Sequence, residues 1–311
     1  MFTHRLTRRG AVALASGIVL TLTACGSDDP TAPESDGGDS EGSSTVIVGS
    51  FAFPESEILG EIYAQALEAE GMEVETQFNI GPRQQTIPAL QDGSINVIPE
   101  YNGNLLAYYN TEYTERTTEE VDAALTDVVA EDDLRVLESA EAEDKDAYVV
   151  TRATAEENDL TSIGDLSALE PFTLGASPQF AELGYGLPGL EATYGVSDVQ
   201  FRPIEDFGGP DTVKALVDDT VQVADIFTTS PALVAEDLVV LEDPENLISS
   251  QNILPLVAES VYSDELADVL NGISAELTTE DLIALRERVE GEEQVSASTA
   301  AEDWLAEKGL N

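Results

Sequence analysis

The residue types able to do chemistry are few in this chain. Of 311 residues one is a histidine, His4, and one a cysteine, Cys25. Both fall within the first 25 positions, so the body beyond holds no Ser-His-Asp or Cys-His nucleophile and no usual zinc set. No glycine-rich loop followed by a lysine is present to cradle phosphate. Carboxylate-based hydrolysis stays open, but among 62 Asp and Glu no pair stands out. What remains are aromatic side chains at telling places. In SINVIPEYNGN, Ser94 to Asn104, an alternating apolar run ends at Tyr101, just before Asn-Gly, a turn signal. Such a position suits either the edge of a core or the wall of a binding crevice.

The elements that would position Tyr101 show themselves through an internal echo. Ala89–Val97 (ALQDGSINV) is answered 126 residues later by Ala215–Val223 (ALVDDTVQV), and both run on to an aromatic, Tyr101 and Phe227. At the same offset Val46-Ile47-Val48-Gly49-Ser50 meets Phe172-Thr173-Leu174-Gly175-Ala176. Each copy reads strand, Gly turn, helix, strand, helix and strand, the signature of βαβ units and a parallel sheet. One helix is predicted over Glu57–Ala69, with Ile58, Ile62 and Ala66 on one face and Gly71 past its end. Two similar α/β lobes imply a cleft, and ligands of such sheets sit beyond the carboxyl ends of the strands. Ser50-Phe51, Tyr101, Ala176-Ser177 and Phe227 all follow predicted strand ends. Tyr101 and Phe227 are then candidate walls, one from each lobe, although two edge-of-core aromatics fit the pattern equally well. Asp146–Arg152 and Asn252–Ala258 read as two hinge strands bracketing the second copy. The chain end returns to the first lobe as helices, with Thr278-Thr279-Glu280-Asp281 as a capping box before Leu282, Leu285 and Val289. Trp304 reads there as a packing anchor.

The N-terminus carries Arg5, Arg8 and Arg9, then an apolar stretch from Ala11 to Leu22, too short to span a membrane. It ends in Leu22-Thr23-Ala24-Cys25, which resembles a bacterial lipobox and implies cleavage before Cys25 and a diacylglycerol on its sulfur. A plain secretory signal is the alternative, and Thr7-Arg8-Arg9 faintly resembles a twin-arginine signal. Residues 25–44 are Gly, Ser, Asp, Pro and Glu with almost nothing apolar, a flexible acidic tether spanning about 25 Å. Without residues 1–24 the chain has 10 Lys and Arg against 62 Asp and Glu, a net charge of −52. That argues against nucleic-acid partners and against direct attraction to an anionic membrane, leaving the lipid to make that contact. The expected organisation is signal 1–24, linker 25–44, a first lobe of 45–147 plus 256–311, and a second lobe of 148–255.

Four stretches together carry a family resemblance: VGSFAFPESEILGEIYAQALEAEG, ALQDGSINVIPEYNGNLL, GASPQF with GLPGLEATYG, and LEDPENLISSQNILPLV. From about Val46 to Gly309 they resemble the ProX/OpuAC-like osmoprotectant-binding lipoproteins of ABC importers. The resemblance implies an α/β, two-lobed periplasmic-binding-protein fold (type II), its two βα lobes joined by two crossing strands. It also implies a function: an extracytoplasmic receptor, anchored to the cell membrane through Cys25, that closes around a quaternary ammonium solute such as choline or glycine betaine. Such a receptor is a monomer that delivers its solute to a permease and ATPase complex and has no enzyme activity, metal or cofactor.

In that family an aromatic cage holds the quaternary ammonium by cation–π attraction. Its walls map onto Tyr101, Tyr148 and Phe227, while Gln251 stands where a fourth ring is usual. The family's basic ligands for a solute carboxylate map onto Phe51 and Leu183, neither of which carries charge. Phe51 could rebuild the cage, Asn104 and Gln251 could hydrogen-bond a hydroxyl, and Arg83 and Ser177 are further candidates. The expectation therefore moves from glycine betaine toward a solute without a carboxylate, such as choline, or a bulkier aromatic-tolerant one. A carboxylate-based envelope hydrolase and a structural or signalling lipoprotein are the rival readings.

Overall fold

Short apolar runs alternating with helices give two five-stranded sheets of one plan. The computed structural model describes residues 45–311, so the signal, the whole linker and Cys25 lie outside the described residues. In chain order the strands are β1 (Val46–Gly49), β2 (Val74–Gln77), β3 (Val97–Tyr101), β4 (Leu134–Val136) and β5 (Tyr148–Thr151). They continue as β6 (Phe172–Ala176), β7 (Val199–Pro203), β8 (Val223–Asp225), β9 (Leu238–Val240) and β10 (Ile253–Ala258). The first sheet runs β2-β1-β3-β10-β4 and the second β7-β6-β8-β5-β9. The 126-residue echo superimposes β1 on β6 and β3 on β8, each in parallel pairing.

The sheets are not wholly parallel. β10 runs antiparallel to β3 and β4, and β5 runs antiparallel to β8 and β9. These are the two strands read from the sequence as hinges, and each completes its own sheet after the chain has crossed over. The crossings occupy 137–147 and 241–252 and touch through an antiparallel bridge between Glu143 and Asn252. Ile253, Leu254 and Pro255 pair with Tyr101, Glu100 and Pro99, so sheet membership places them in the first lobe, against the boundary at 256 read from the sequence.

The first long helix spans Pro54–Ala69 and begins three residues before the predicted Glu57. Proline at the first helical turn forfeits no hydrogen bond, so the pattern extends back to it. Ile58, Leu59, Ile62, Tyr63, Ala66 and Leu67 are buried, and Gly71 at φ 87° ends the segment in a conformation that favours glycine. At the other end of β3 there is no turn. The helix Asn102–Tyr109 starts directly from Tyr101. Here Asn-Gly serves a close approach: a Cβ on Gly103 would stand 2.2 Å from the Ser250 carbonyl oxygen. Asn102 fastens that approach, accepting from the Gly103 and Asn252 amides at 2.8 and 2.9 Å and donating to Asp122 at 2.8 Å.

The helices Asp264–Glu276, Thr279–Glu290 and Ala297–Lys308 pack back on the Pro54–Ala69 helix, and Trp304 is buried in the first-lobe core. Thr278 Oγ1 accepts from the Asp281 amide at 3.2 Å while Asp281 Oδ2 accepts from the Thr278 amide at 3.0 Å, the expected capping box. Thr278→Ala should cost about 1 kcal/mol. Urea unfolding should show a lower midpoint with an unchanged slope.

Candidate functional site

Two sets of rings flank the crossings, one on each lobe. On the first lobe Tyr101 ends β3, and Phe51 and Phe53 lie in the loop between β1 and the helix Pro54–Ala69. Phe53 stacks on Phe51 with centroids 5.7 Å apart and reaches Tyr101 at 6.1 Å. Phe51 is buried, and the Arg83 guanidinium lies 5.3 Å from its ring centroid. Phe53 is instead 39% exposed, so it is the ring that this set presents outward. On the second lobe Tyr148 begins β5 and meets Phe180 edge-on at 5.7 Å, and Phe180 meets Tyr185 at 5.8 Å. The Tyr148 hydroxyl donates to the Tyr185 carbonyl at 2.9 Å, which fixes the second set as a unit.

The remaining sequence candidates fall in different places. Phe227 joins neither ring set. It lines a groove of about 640 Å³ together with Phe207 and the turn Gly208–Pro210 of the second lobe, and with Arg286 and Glu290 of the first. Gln251 is buried and its Oε1 accepts the Asn104 backbone amide at 2.9 Å, while the Asn104 side chain faces solvent. This pair tethers the second crossing to the start of the helix Asn102–Tyr109. Ser177 is buried ahead of the short 3-10 turn Pro178–Glu182, and Leu183 packs against the second-lobe core. Arg83, read as a cation reaching inward, is committed to Glu100, with Nε donating at 2.8 Å and Nη2 at 2.6 Å.

Between the ring sets runs a seam of carboxylates that sequence reasoning missed. Asp144, Asp146 and Tyr148 occupy alternate positions on the first crossing, so an extended backbone turns them to one side. Asp225 sits opposite Tyr148 in the β5–β8 register. The Tyr185 hydroxyl donates to Asp146 at 2.9 Å, and the charge of Asp146 bears on Asp225. From the first lobe Glu55 enters, its Oε1 accepting the Tyr101 hydroxyl at 2.6 Å. Arg286 joins the two ends. Its Nη1 donates to Thr229 Oγ1 at 2.8 Å, Thr229 donates to Asp144 at 2.8 Å, and Glu55 Oε2 lies 3.8 Å from the same Nη1.

Burial governs the charge here. Loss of water, then the nearby Asp144, pushes the Glu55 carboxyl up to about 8. Asp144 and Asp146 are raised by burial, and Asp225 by burial and then by Asp146. The signal that could have found the seam is the Asp-x-Asp-x-Tyr alternation at 144–148, invisible among so many acids.

Two five-stranded α/β lobes joined by two crossings are the architecture of a hinged solute receptor. Residues 44–307 match the family described as OpuAC, the substrate binding domain of ABC-type glycine betaine transport systems, and the chain belongs to it. It is 28% identical over 282 residues to the glycine betaine-binding protein YehZ of Escherichia coli strain K12, covering 86% of this chain and 92% of that protein. The solved apo structure of YehZ from Escherichia coli aligns with a TM-score of 0.75, over 86% of this chain and 100% of that one. A structure titled glycine betaine/carnitine/choline ABC transporter aligns at 0.79 with 20% identity, over 85% and 99%, and shares the fold. The two-lobed periplasmic-binding-protein architecture expected from the sequence is thus the one found. As the substrate-binding domain of an importer, the protein takes a small-molecule ligand and works with a permease and ATPase on the extracytoplasmic side. Among the described residues no helix is long and apolar enough to cross a membrane.

Proposed function

We propose that the protein captures a quaternary ammonium solute of the choline or glycine betaine type between its lobes and hands it to an ABC permease. The reading rests on one observation above all: a ring set on each lobe, Phe53 with Tyr101 and Tyr148 with Phe180 and Tyr185, at the two sides of the crossings. A quaternary ammonium cannot donate an ordinary hydrogen bond, and aromatic faces hold it at about 0.5–2 kcal/mol per ring. Tyr101 and Tyr148 are the assigned walls, supported by Phe51 behind Phe53, while Phe227 lines a groove that neither ring set reaches. Gln251 and Asn104 shape the crossing on which closure turns. Closure follows from a solute that touches both lobes and so favours the state in which they approach. That the Escherichia coli relative is a glycine betaine-binding protein supports the same solute class.

Anchoring through a lipid on Cys25, with residues 25–44 as tether, completes the proposal. The test is a thermal-shift screen of choline, glycine betaine, carnitine and ectoine at matched salt. A true solute at a hundred times its dissociation constant should add about 2.7 kcal/mol of stability. A flat response to every quaternary ammonium compound sinks the assignment.

A further inference from the structure

Among the described residues, the carboxylate seam sets four carboxyl groups around one touching cation, Arg286. Glu55 and Asp225 are 2% and 3% exposed, and Glu55 Oε2 and Asp225 Oδ1 have no hydrogen-bond partner. A buried carboxylate oxygen without a donor is costly, and each here neighbours a tyrosine: Glu55 at the Tyr101 hydroxyl, Asp225 opposite Tyr148 in the strand register.

The groups facing the seam come from every element around it. They are Tyr101 from β3, Arg286 from the helix Thr279–Glu290, Tyr148 from β5 with Asp243 near it, and Tyr185 from the loop after Phe180. Arg286 is the one cation among them within the described residues, and its guanidinium already faces Glu290, Thr229 and Glu55. Nε goes to Glu290 at 2.7 Å, Nη1 to Thr229, and Nη2 weakly to Glu290 at 3.4 Å. Arg83 is held by Glu100, and Lys145 by Glu143 at 2.7 Å. A zwitterion's carboxylate would therefore enter a negatively biased cleft in which Arg286, Arg83 and Lys145 already face carboxylates of the protein.

We propose that Glu55, Asp144, Asp146 and Asp225 form a shared counter-charge for a solute that is a net cation without a carboxylate, and that the seam gives up protons to receive it. The proposal rests on the quaternary ammonium reading and narrows it from osmoprotectants in general to cationic members such as choline. The direction follows from electrostatics. A cation placed between the rings favours the ionised carboxylates, lowers their proton affinity and expels protons. Affinity for choline then rises as pH rises, through a window that reaches to about 8 at Glu55. Stability of the solute-free protein runs the opposite way. A carboxyl raised on folding contributes below its unfolded value and loses that contribution as pH climbs through the folded one.

Titration calorimetry of the purified protein with choline and with glycine betaine, near pH 6 and near pH 8, tests this. Each pH is run in one buffer of high and one of low ionisation enthalpy. Choline should bind at least about tenfold tighter near pH 8, the factor for one pKa unit. Its heat should depend on the buffer as proton release requires, and glycine betaine should be weaker by a similar factor. Glu55→Gln, which can keep an acceptor for the Tyr101 hydroxyl, should lower both the proton release and the pH dependence of choline affinity. Asp225→Asn should do the same, with thermal melts verifying that each variant folds. Buffer-independent heats, or glycine betaine binding as tightly as choline, overturn the seam's role while leaving the solute class standing. Failure of both compounds at both pH values overturns the solute class as well.

Discussion

Arg83→Ala should destabilise the protein by about 3–5 kcal/mol, the loss expected when one partner of a buried ion pair is removed. Glu100 is fully buried, and both of its oxygens are held by the Arg83 fork. Its Oε2 also accepts the Tyr101 amide at 3.0 Å. Without Arg83 the carboxylate stays in the first-lobe core with a single amide donor, and the end of β3 that carries Tyr101 loosens with it. Phe51 also loses the guanidinium beside its ring. Urea unfolding measures the loss. The double variant Arg83→Met/Glu100→Leu should recover most of it, because two apolar groups of similar size leave no buried charge behind. A single variant within about 1 kcal/mol of the parent would mean that Glu100 finds other partners, and the pair would then be incidental.

The contrast between Arg83 and Tyr101 shows what a sequence can and cannot make legible. Tyr101 was visible because a strand end is a local pattern: alternation stops, Asn-Gly follows, and the same event recurs 126 residues on. The echo located β1, β3, β6 and β8 for the same reason. The apolar runs at 146–152 and 252–258 marked β5 and β10, with the crossings themselves lying just ahead of them. Arg83 could only be seen as a basic residue among acids. Its partner Glu100 lies 17 residues away on a neighbouring element, and nothing local says that this acid, of 62, is buried. Gln251 and Asn104 pair across 147 residues, which is a property of the closed chain and not of either neighbourhood. The seam was hidden for a related reason. Selection by burial singles out Glu55 and Asp225, and burial is decided by the packing of two lobes. Phe53 escaped because the sequence pattern places the helix from Glu57, whereas it starts at Pro54, where proline is at home, and Phe53 caps it with a partly exposed ring.

Tyr101→Ala should have the largest effect on solute capture, at least about tenfold in choline affinity, since loss of one desolvated ring removes up to about 2 kcal/mol of cation–π attraction. The ring is 5% exposed, so its removal also opens a cavity in the first-lobe core, at about 3–5 kcal/mol of stability by the range for large aromatic truncations. The two effects are separable. Tyr101→Phe keeps the ring face and deletes only the hydroxyl that serves Glu55 Oε1, so its choline affinity should stay much nearer the parent's while the donor to Glu55 is lost. Tyr148→Ala provides the matching test on the other lobe, where the hydroxyl holds the Tyr185 carbonyl and the ring rests on Phe180. If receptor closure needs a ring from each side, either alanine variant alone should abolish most of the binding heat in a protein that still melts cooperatively. Parent-like choline affinity in a folded Tyr101→Ala protein would remove Tyr101 from the site, and with it the reason for Glu55 to lie beneath it.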